Sequence, residues 1–206
     1  MDSQGGGAKR GRTRNRRGEG GLLRLELIEA ARRLLEDSDS EGDVTLRAVT
    51  RLAGVAPQSF YLQFGTLEEL LYEVYQLEYG ELGRAMALAA ESQPDARSRL
   101  LAACRSYCDF ASAHPAPYRA MTAVRGKVGH RAWEGRPLPG APTFELIRNL
   151  TSAALKDRNL GSDPHLVAAT VWASLHGTVT LRSARPAFPW PPLDRMIEAI
   201  VDHALA

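Results

Sequence analysis

The sequence has few of the features that mark secreted, membrane-spanning or metal-binding proteins. Only two of its 206 residues are cysteines, which excludes a disulfide framework, and no run of about 18 apolar residues is present to span a membrane. The first twenty residues contain no apolar core of a secretory signal, so we expect a cytoplasmic protein. Cys104 and Cys108 lie four residues apart, which predicts two buried thiols on one helix face rather than a metal site.

Catalytic motifs are also lacking. The chain has no G-x-S-x-G nucleophile turn, no phosphate-binding P-loop and no H-E-x-x-H zinc helix. Asp163, His176 and Ser183 fall within one predicted helix, but at separations that cannot form a triad there. We therefore expect no enzymatic activity and no cofactor, and the remaining features indicate a binding protein.

Positive charge is concentrated at the N-terminus, although the net charge of the chain is only +2. Residues 1–21 hold six cations and two anions, whereas fifteen cations balance fifteen anions from Thr66 onward. Residues 1–20 lack apolar side chains for a core, which predicts a disordered arm. Such an arm can contact DNA phosphates through counterion release, or it can serve only solubility. Its cations are Lys9, Arg10, Arg12, Arg14, Arg16 and Arg17.

The apolar residues recur at helical spacing, which predicts an all-α fold of about nine helices without strands. Helices are expected near residues 22–35, 46–52, 57–64, 66–90, 96–113, 117–124, 143–156, 164–183 and 193–204. The Thr66-Leu67-Glu68-Glu69 sequence predicts a capping box at the start of the longest helix. Four prolines in SARPAFPWPP predict an extended connector before the last helix.

The segment from Thr45 to Phe64 predicts a helix-turn-helix. Thr45 is a preferred N-cap residue, Gly54 suits a turn with positive φ, and Pro57 fits the first turn of the second helix. The apolar positions predicted to face inward are Leu46, Val49, Leu52, Val55, Phe60 and Phe64. In such a motif the second helix enters the major groove of DNA, where base edges carry distinguishable hydrogen-bonding patterns.

The remaining positions of this segment are candidates for DNA contact. Besides the cations of the arm, they are Thr45, Arg47, Ala56, Pro57, Gln58, Ser59, Tyr61, Leu62, Gln63 and Thr66. The alternative is a plain helical hairpin whose polar faces only contact solvent.

The predicted helix over 164–183 is apolar on nearly all sides, which indicates burial on two sides. One side can contact the core of the same chain, and the other side can contact a second subunit. The last helix would then supply the rest of the interface in a two-fold dimer. The candidate interface residues are Leu166, Ala169, Thr170, Ala173, Gly177, Thr180, Leu193, Met196, Ile197 and Ile200. Packing of both helices within one monomeric core is the alternative.

The helix-turn-helix resembles the TetR family of bacterial transcription regulators over roughly residues 22–77. The resemblance rests on Thr45, Leu46, Ala48, Val49, Ala53-Gly54-Val55, Phe60-Tyr61, Phe64, Thr66 and Glu69-Leu70-Leu71. Trp172 and His176-Gly177 also resemble a Trp-x-x-x-His-Gly subgroup, although both side chains fit a plain core role as well. Ala56, Gln63 and Leu67 depart from the small hydroxyl residue, His and Lys of many relatives, and the basic arm is expected to compensate.

The resemblance implies a DNA-binding head over residues 21–66 and a regulatory, dimerising body over 67–206. It implies a repressor that binds a pseudo-palindromic operator as a homodimer and is released by a small hydrophobic or aromatic ligand. The expected ligand cavity is lined by Tyr107, Phe110, Met121, Trp133, Phe144, Leu150, Trp172 and His176. The alternative is a DNA-binding architectural protein, or a regulator controlled by a protein partner.

Overall fold

A computed structural model of the chain describes residues 20–37, 44–122 and 135–206. Over these residues the protein is all-α, with nine helices and no strand, as predicted. The helices are α1 (Gly20–Asp37), α2 (Leu46–Leu52), α3 (Pro57–Phe60), α4 (Leu67–Glu91), α5 (Ala96–Ala113), α6 (Pro115–Thr122), α7 (Ala141–Asp157), α8 (Pro164–Ala184) and α9 (Leu193–Ala204).

The helices begin where their N-cap side chains predict. The Thr45 hydroxyl oxygen accepts a hydrogen bond from the N–H of Ala48 at 3.2 Å, which satisfies one donor at the start of α2. At α4 the Thr66 hydroxyl oxygen accepts from the N–H of Glu69 at 3.2 Å. The Glu69 carboxylate accepts from the N–H of Gly65 at 2.8 Å, so the return bond of the predicted capping box is shifted by one residue.

Helix α5 is the centre of the body and packs against α4, α6, α7, α8 and α9. Its small buried residues, which include Ala103, Cys104, Cys108 and Ala111, let the neighbouring helices approach closely. Helix α1 packs against α2, α4 and α6, and one apolar cluster extends from α1 to the C-terminal helix. The helix-turn-helix and the body therefore share a continuous core.

A partly buried ion pair joins α1 to α4. The Arg32 Nε donates to Glu78 Oε1 at 2.6 Å, and Arg32 Nη2 lies 3.2 Å from Glu81 Oε2. The Glu78 residue is 3% exposed, and burial raises the pKa of its carboxyl although the Arg32 guanidinium opposes this rise. The pair therefore holds charge inside the core where the two helices cross.

Two expectations for the helix-turn-helix were wrong. Helix α3 ends at Phe60 rather than near Phe64, and the chain continues in tight turns in which the N–H of Gln63 donates to the Phe60 carbonyl at 2.9 Å. Leu52 is 48% exposed instead of facing inward. The buried residues of α2 are Val49 and Thr50, and Leu52 lies roughly a third of a turn away from the face that they define.

The connector between α8 and α9 is folded back on α8 rather than extended. The Arg182 Nη1 donates to the Pro191 carbonyl at 2.8 Å, and the indole nitrogen of Trp190 donates to the Arg185 carbonyl at 2.9 Å. The rings of Phe188 and Trp190 contact each other with centroids 4.5 Å apart. The prolines prevent a helix here. The hydrogen bonds from Arg182 and Trp190 and the contact between the two rings hold the segment in a fixed turn.

Candidate DNA-binding surface and ligand cavity

Helix α3 and the turn after it present an uncharged surface to solvent. Pro57, Gln58, Tyr61 and Leu62 are exposed, and the exposed fractions of Tyr61 and Leu62 reach 63% and 76%. On the opposite side Phe60 is fully buried and anchors the segment in the core. A helix with one anchored face and one free face has the arrangement needed to enter a DNA groove.

The other predicted DNA contacts within the described residues are exposed or half-buried. Thr45, Arg47, Ala56 and Thr66 are exposed, whereas Ser59 and Gln63 are half-buried. The positive φ of +68° at Gly54 forms the turn between α2 and α3, as the sequence predicts. The cations of the basic arm lie outside the described residues, so their contact with DNA stays a prediction.

Arg24 of α1 holds the end of the turn after α3 in place. Its guanidinium lies 4.3 Å from the centroid of the Phe64 ring, and its Nη1 donates to the Gln63 carbonyl at 3.1 Å. Its Nη2 lies 3.1 Å from Glu73 Oε1 on α4. One side chain thus connects three parts of the fold. No sequence pattern indicates this role, because the partners of Arg24 are distant along the chain.

Replacing Arg24 with Met is expected to weaken DNA binding by about tenfold and to cost about 1 kcal/mol of folding stability. Methionine keeps apolar contact with Phe64 but loses the bonds to Gln63 and Glu73, which are partly exposed and therefore screened. Fluorescence anisotropy with operator DNA and urea denaturation measure the two effects. Arg33→Met removes the same charge from α1 and only an exposed pair with Glu29, so equal affinities of the two variants would contradict the role of Arg24.

A cavity of about 360 Å³ lies among α4, α5, α7 and α8. Five rings line it, namely those of Tyr79, Tyr107, Phe144, His165 and Trp172. The Phe144 ring meets His165 and Trp172 edge to face, with centroid distances of 5.3 Å and 5.9 Å. Among the described lining residues there is no Lys, Arg, Asp or Glu, so the cavity favours an uncharged, largely apolar ligand.

One wall of the cavity depends on Gly140. This residue has a φ of +83°, and a Cβ placed on it would lie 2.6 Å from Cδ1 of Tyr79. The Tyr79 hydroxyl donates to the Met121 carbonyl at 3.2 Å, and Thr143 Oγ1 donates to the Tyr79 carbonyl at 2.8 Å, so Tyr79 is held from two sides. The Pro-Gly-Ala-Pro sequence indicates a turn at this point, but nothing in it indicates the contact with Tyr79.

The predicted lining of the cavity is correct in part. Tyr107, Phe144 and Trp172 line it. The expectation was wrong for Phe110, Met121, Leu150 and His176, which are absent from its described wall. Phe110 instead contacts the His114 ring at 4.8 Å, Met121 is buried behind Tyr79, and Leu150 packs on the core. Trp133 lies outside the described residues.

A chain of hydrogen bonds runs from the cavity wall to His176. The Tyr107 and Tyr118 hydroxyl oxygens are 2.7 Å apart, and the Tyr118 oxygen lies 2.7 Å from His176 Nδ1. When neutral His176 carries its proton on Nε2, its Nδ1 accepts a hydrogen bond from the Tyr118 hydroxyl.

Burial supports the neutral form of each group in this chain of hydrogen bonds. It lowers the pKa of His176, raises the pKa of Tyr107 to about 12 and raises the pKa of Tyr118 above its usual range. Trp172 and His176 lie four residues apart, which places them on one face of α8. Trp172 therefore lies at the cavity wall, and His176 on the same face contacts Tyr118 behind that wall.

Replacing Tyr118 with Phe is expected to destabilise the protein by about 2 kcal/mol at neutral pH, because Tyr107 and His176 each lose a buried partner. The folded-state pKa of His176 is lowered, so the stability that depends on neutral His176 is present above its unfolded pKa and is lost as the pH falls through the folded pKa. The difference between the two proteins should therefore shrink between about pH 7.5 and about pH 5 in urea denaturation.

The control for this comparison is Tyr61→Phe, which removes a hydroxyl from an exposed ring. This variant should match the original protein at both pH values. A difference between Tyr118→Phe and the original protein that stays constant with pH would contradict the dependence of this hydrogen bond on neutral His176.

One face of α8 is exposed in the described structure. Leu166, Thr170, Ala173 and Thr180 lie on it, and open space surrounds the position of a Cβ at Gly177. On α9, Leu193, Met196 and Ile200 are half-buried. The interface prediction is wrong for Ile197, which is 1% exposed and belongs to the core of its own chain. Ala169 is half-buried and also lines the cavity, so its place in an interface stays a prediction.

The two cysteines of α5 are free and buried. Burial raises the pKa of each thiol, Cys104 and Cys108, to about 12, so neither forms appreciable thiolate at neutral pH. Within the described ranges, no three His, Cys, Asp or Glu residues are grouped so that they could hold a metal ion. The same ranges contain no helix with the length and apolar character needed to cross a bilayer.

The C-terminal half of the chain matches the family model of the tetracyclin repressor-like C-terminal domain over residues 100–206. The fold is similar to that of a protein of unknown function from Rhodococcus sp. RHA1, which is 24% identical with a TM-score of 0.71, over 89% of this chain and 93% of that chain. The regulator FadR from Bacillus subtilis, solved with stearoyl-CoA, is 14% identical with a TM-score of 0.66, over 88% and 97%.

A TetR family regulator from Marinobacter aquaeolei VT8 also has this fold, with 17% identity and a TM-score of 0.65 over 92% of this chain and 97% of that chain. A comparison with curated proteins gives no match. The family model covers more than half of the chain, and the helix-turn-helix precedes the matched region, where a TetR protein carries it. The chain belongs to the TetR family of transcriptional regulators.

Proposed function

We propose that this protein is a cytoplasmic repressor that binds a pseudo-palindromic operator as a homodimer and releases it when a small hydrophobic ligand binds. The observation that carries the proposal is the exposed surface of α3, which is anchored by Phe60 and leaves Gln58, Tyr61 and Leu62 open to solvent. In this proposal residues 1–20 form the basic N-terminal arm, residues 21–66 form the DNA-binding head, and residues 67–206 form the regulatory body.

The exposed face of α8 supports the dimer. Leu166, Ala173 and Gly177 recur at helical spacing and combine an exposed leucine with small residues that allow close helix approach. Packed with α9 against the same helices of a second chain, this face would form a four-helix interface. A two-fold dimer requires two half-sites on one side of the DNA, about one helical turn or a multiple of it apart.

The cavity supports a compact, uncharged ligand. Its volume of about 360 Å³ is near the lower end of the range for small-molecule sites, and its described wall is apolar and aromatic. The FadR relative was solved with stearoyl-CoA, which is a much larger and highly charged molecule. The described wall lacks cationic residues to bind its phosphates, so we favour a neutral aromatic or alicyclic compound over an acyl-CoA.

Ligand control requires that the ligand prefer one arrangement of the two heads. Helix α6 carries Tyr118, which is hydrogen-bonded to the cavity residue Tyr107, and α6 also packs against α1. A ligand that moves the ring of Tyr107 or Trp172 would thus shift a helix that contacts the head. If the heads in the shifted arrangement no longer match the spacing of the half-sites, the operator affinity falls by the ratio of the ligand's affinities for the shifted arrangement and for the DNA-binding arrangement.

Selection of DNA from a random pool, followed by light scattering of the complex, tests this function. We expect an enriched inverted repeat bound by two chains, and a neutral aromatic compound that both raises the melting temperature and weakens operator binding. Binding without sequence preference would instead favour an architectural protein. A specific operator whose affinity changes only with a protein partner would contradict ligand control.

Deleting residues 1–18 is expected to weaken operator binding and to flatten its salt dependence. Each phosphate contact that is lost should reduce the slope of log affinity against log salt concentration by about 0.9. Salt titration of the full-length and truncated proteins measures both effects. A variant with the cations of the arm replaced by Gln separates charge from chain length, and an unchanged slope in both variants would show that the arm serves only solubility.

A further inference from the structure

The recognition segment contains no charged side chain. Residues 56–63 have the sequence Ala-Pro-Gln-Ser-Phe-Tyr-Leu-Gln. Arginine and lysine are the side chains that most often recognise guanine in the major groove, and aspartate or glutamate accept a hydrogen bond from cytosine. The surface that α3 exposes therefore lacks the usual groups for recognising a G·C pair.

The side chains that α3 and the following turn expose match an A·T pair instead. The amide of Gln58 can bond to N6 and N7 of adenine together. Tyr61 and Leu62 present apolar carbon surface of the kind that contacts the C5-methyl group of thymine. The Tyr61 ring meets Phe60 edge to face with centroids 5.6 Å apart, so a buried ring holds it in position before DNA is bound.

Cationic side chains lie beside this uncharged surface rather than on it. Arg47 and Arg51 are exposed on α2, and the sequence places the cations of the arm before α1. Cations in these places suit phosphates, which supply affinity and register but no direct information about sequence. Attraction to phosphates and recognition of bases are therefore assigned to different residues.

We propose that α3 recognises A·T base pairs at the centre of each half-site, with Gln58 on adenine and Leu62 and Tyr61 on thymine methyl groups. This specificity rests on the proposed function, because it names the bases of an operator. It applies only to the base pairs under α3.

Selection from a random pool with the full-length protein is the first test. Each enriched half-site is expected to contain a block of A·T pairs, and replacement of one such pair by G·C should weaken binding by roughly tenfold. An enriched half-site whose invariant pairs under α3 are G·C would overturn this inference while leaving the proposed function intact. A pool without any enriched sequence would overturn both.

Deoxyuridine substitution tests the thymine contacts and locates them in the operator. Replacing one contacted thymine removes only its methyl group and should weaken binding by about fourfold. In the Leu62→Ala variant the same substitution should have no further effect at the position that Leu62 contacts. The control is Leu88→Ala, a similarly exposed leucine on α4, which should keep the full fourfold sensitivity. Equal sensitivity of Leu62→Ala and the original protein at every thymine would overturn the assignment of Leu62.

The adenine contact has a parallel test with 7-deazaadenine, which lacks the N7 acceptor. At one position of the half-site this analogue should weaken binding of the original protein by roughly tenfold, and it should not weaken binding of Gln58→Ala. Gln58→Ala and Leu62→Ala both change exposed side chains, so the folding of these variants is expected to be unaffected. If 7-deazaadenine weakens both proteins equally, Gln58 does not recognise adenine.

Discussion

Adding one methyl group at Gly140 is expected to lower the free energy of unfolding by about 2–5 kcal/mol. The left-handed backbone conformation at a φ of +83° accounts for about 1–2 kcal/mol of this cost in a residue with a Cβ. The remainder comes from overlap with the Tyr79 ring, since the new Cβ would lie 2.6 Å from it. Tyr79 cannot rotate away without breaking its hydrogen bond to the Met121 carbonyl.

A matched variant separates these two contributions. Gly54 has a φ of +68°, but no atom lies within 4 Å of the position that a Cβ would take there, so Gly54→Ala should show only the backbone cost of about 1–2 kcal/mol. Urea denaturation of both variants gives the steric cost as their difference. Equal losses would mean that the Tyr79 contact contributes nothing, which would contradict the role of Gly140 as a cavity wall.

Replacing Arg32 with Met is expected to destabilise the protein by about 3 kcal/mol at neutral pH, because Glu78 then remains buried without its partner. Burial already raises the pKa of this carboxyl, and removal of the opposing Arg32 raises it further. A raised folded-state pKa means that the folded form gains protons more readily than the unfolded form. The variant should therefore recover stability as the pH is lowered from about 7 towards about 5.

The double variant Arg32→Met with Glu78→Leu distinguishes the buried charge from loss of packing. An apolar pair of similar size removes the unpaired carboxylate, so we expect the double variant to be more stable than Arg32→Met alone and to lose its unusual pH response. Denaturation across the pH range measures both. A double variant as unstable as the single one would assign the loss to packing of the arginine stem instead.

Local chemistry explains why several helix limits were predictable from the sequence. The limits of α5 and α9 agree with the expected ones, and α5 begins after Asp95, whose carboxylate accepts from the N–H of Ser98 at 2.8 Å. The turn at Gly54 and the start of α4 at Thr66 also depend on side chains within four residues. Such signals are short-range, so a single sequence contains them completely.

The features that the sequence did not reveal depend on contacts between distant residues. Arg24 acts on Gln63 and Glu73, and the cavity wall at Gly140 is formed against Tyr79 on another helix. Periodicity identified apolar faces of α5 and α8 but not the neighbour that each residue contacts. For this reason the cavity lining expected from the family resemblance included His176, whereas the structure places it behind Tyr118.

The buried thiols of α5 have a practical consequence for measuring motion. A thiol with a pKa of about 12 reacts slowly with maleimides and other labelling reagents, so Cys104 and Cys108 need not be removed before a dye or spin label is attached elsewhere. A single cysteine introduced at exposed Leu25 would then label each subunit of the proposed dimer at one place. The distance between two such labels would report whether a candidate effector changes the separation of the two heads.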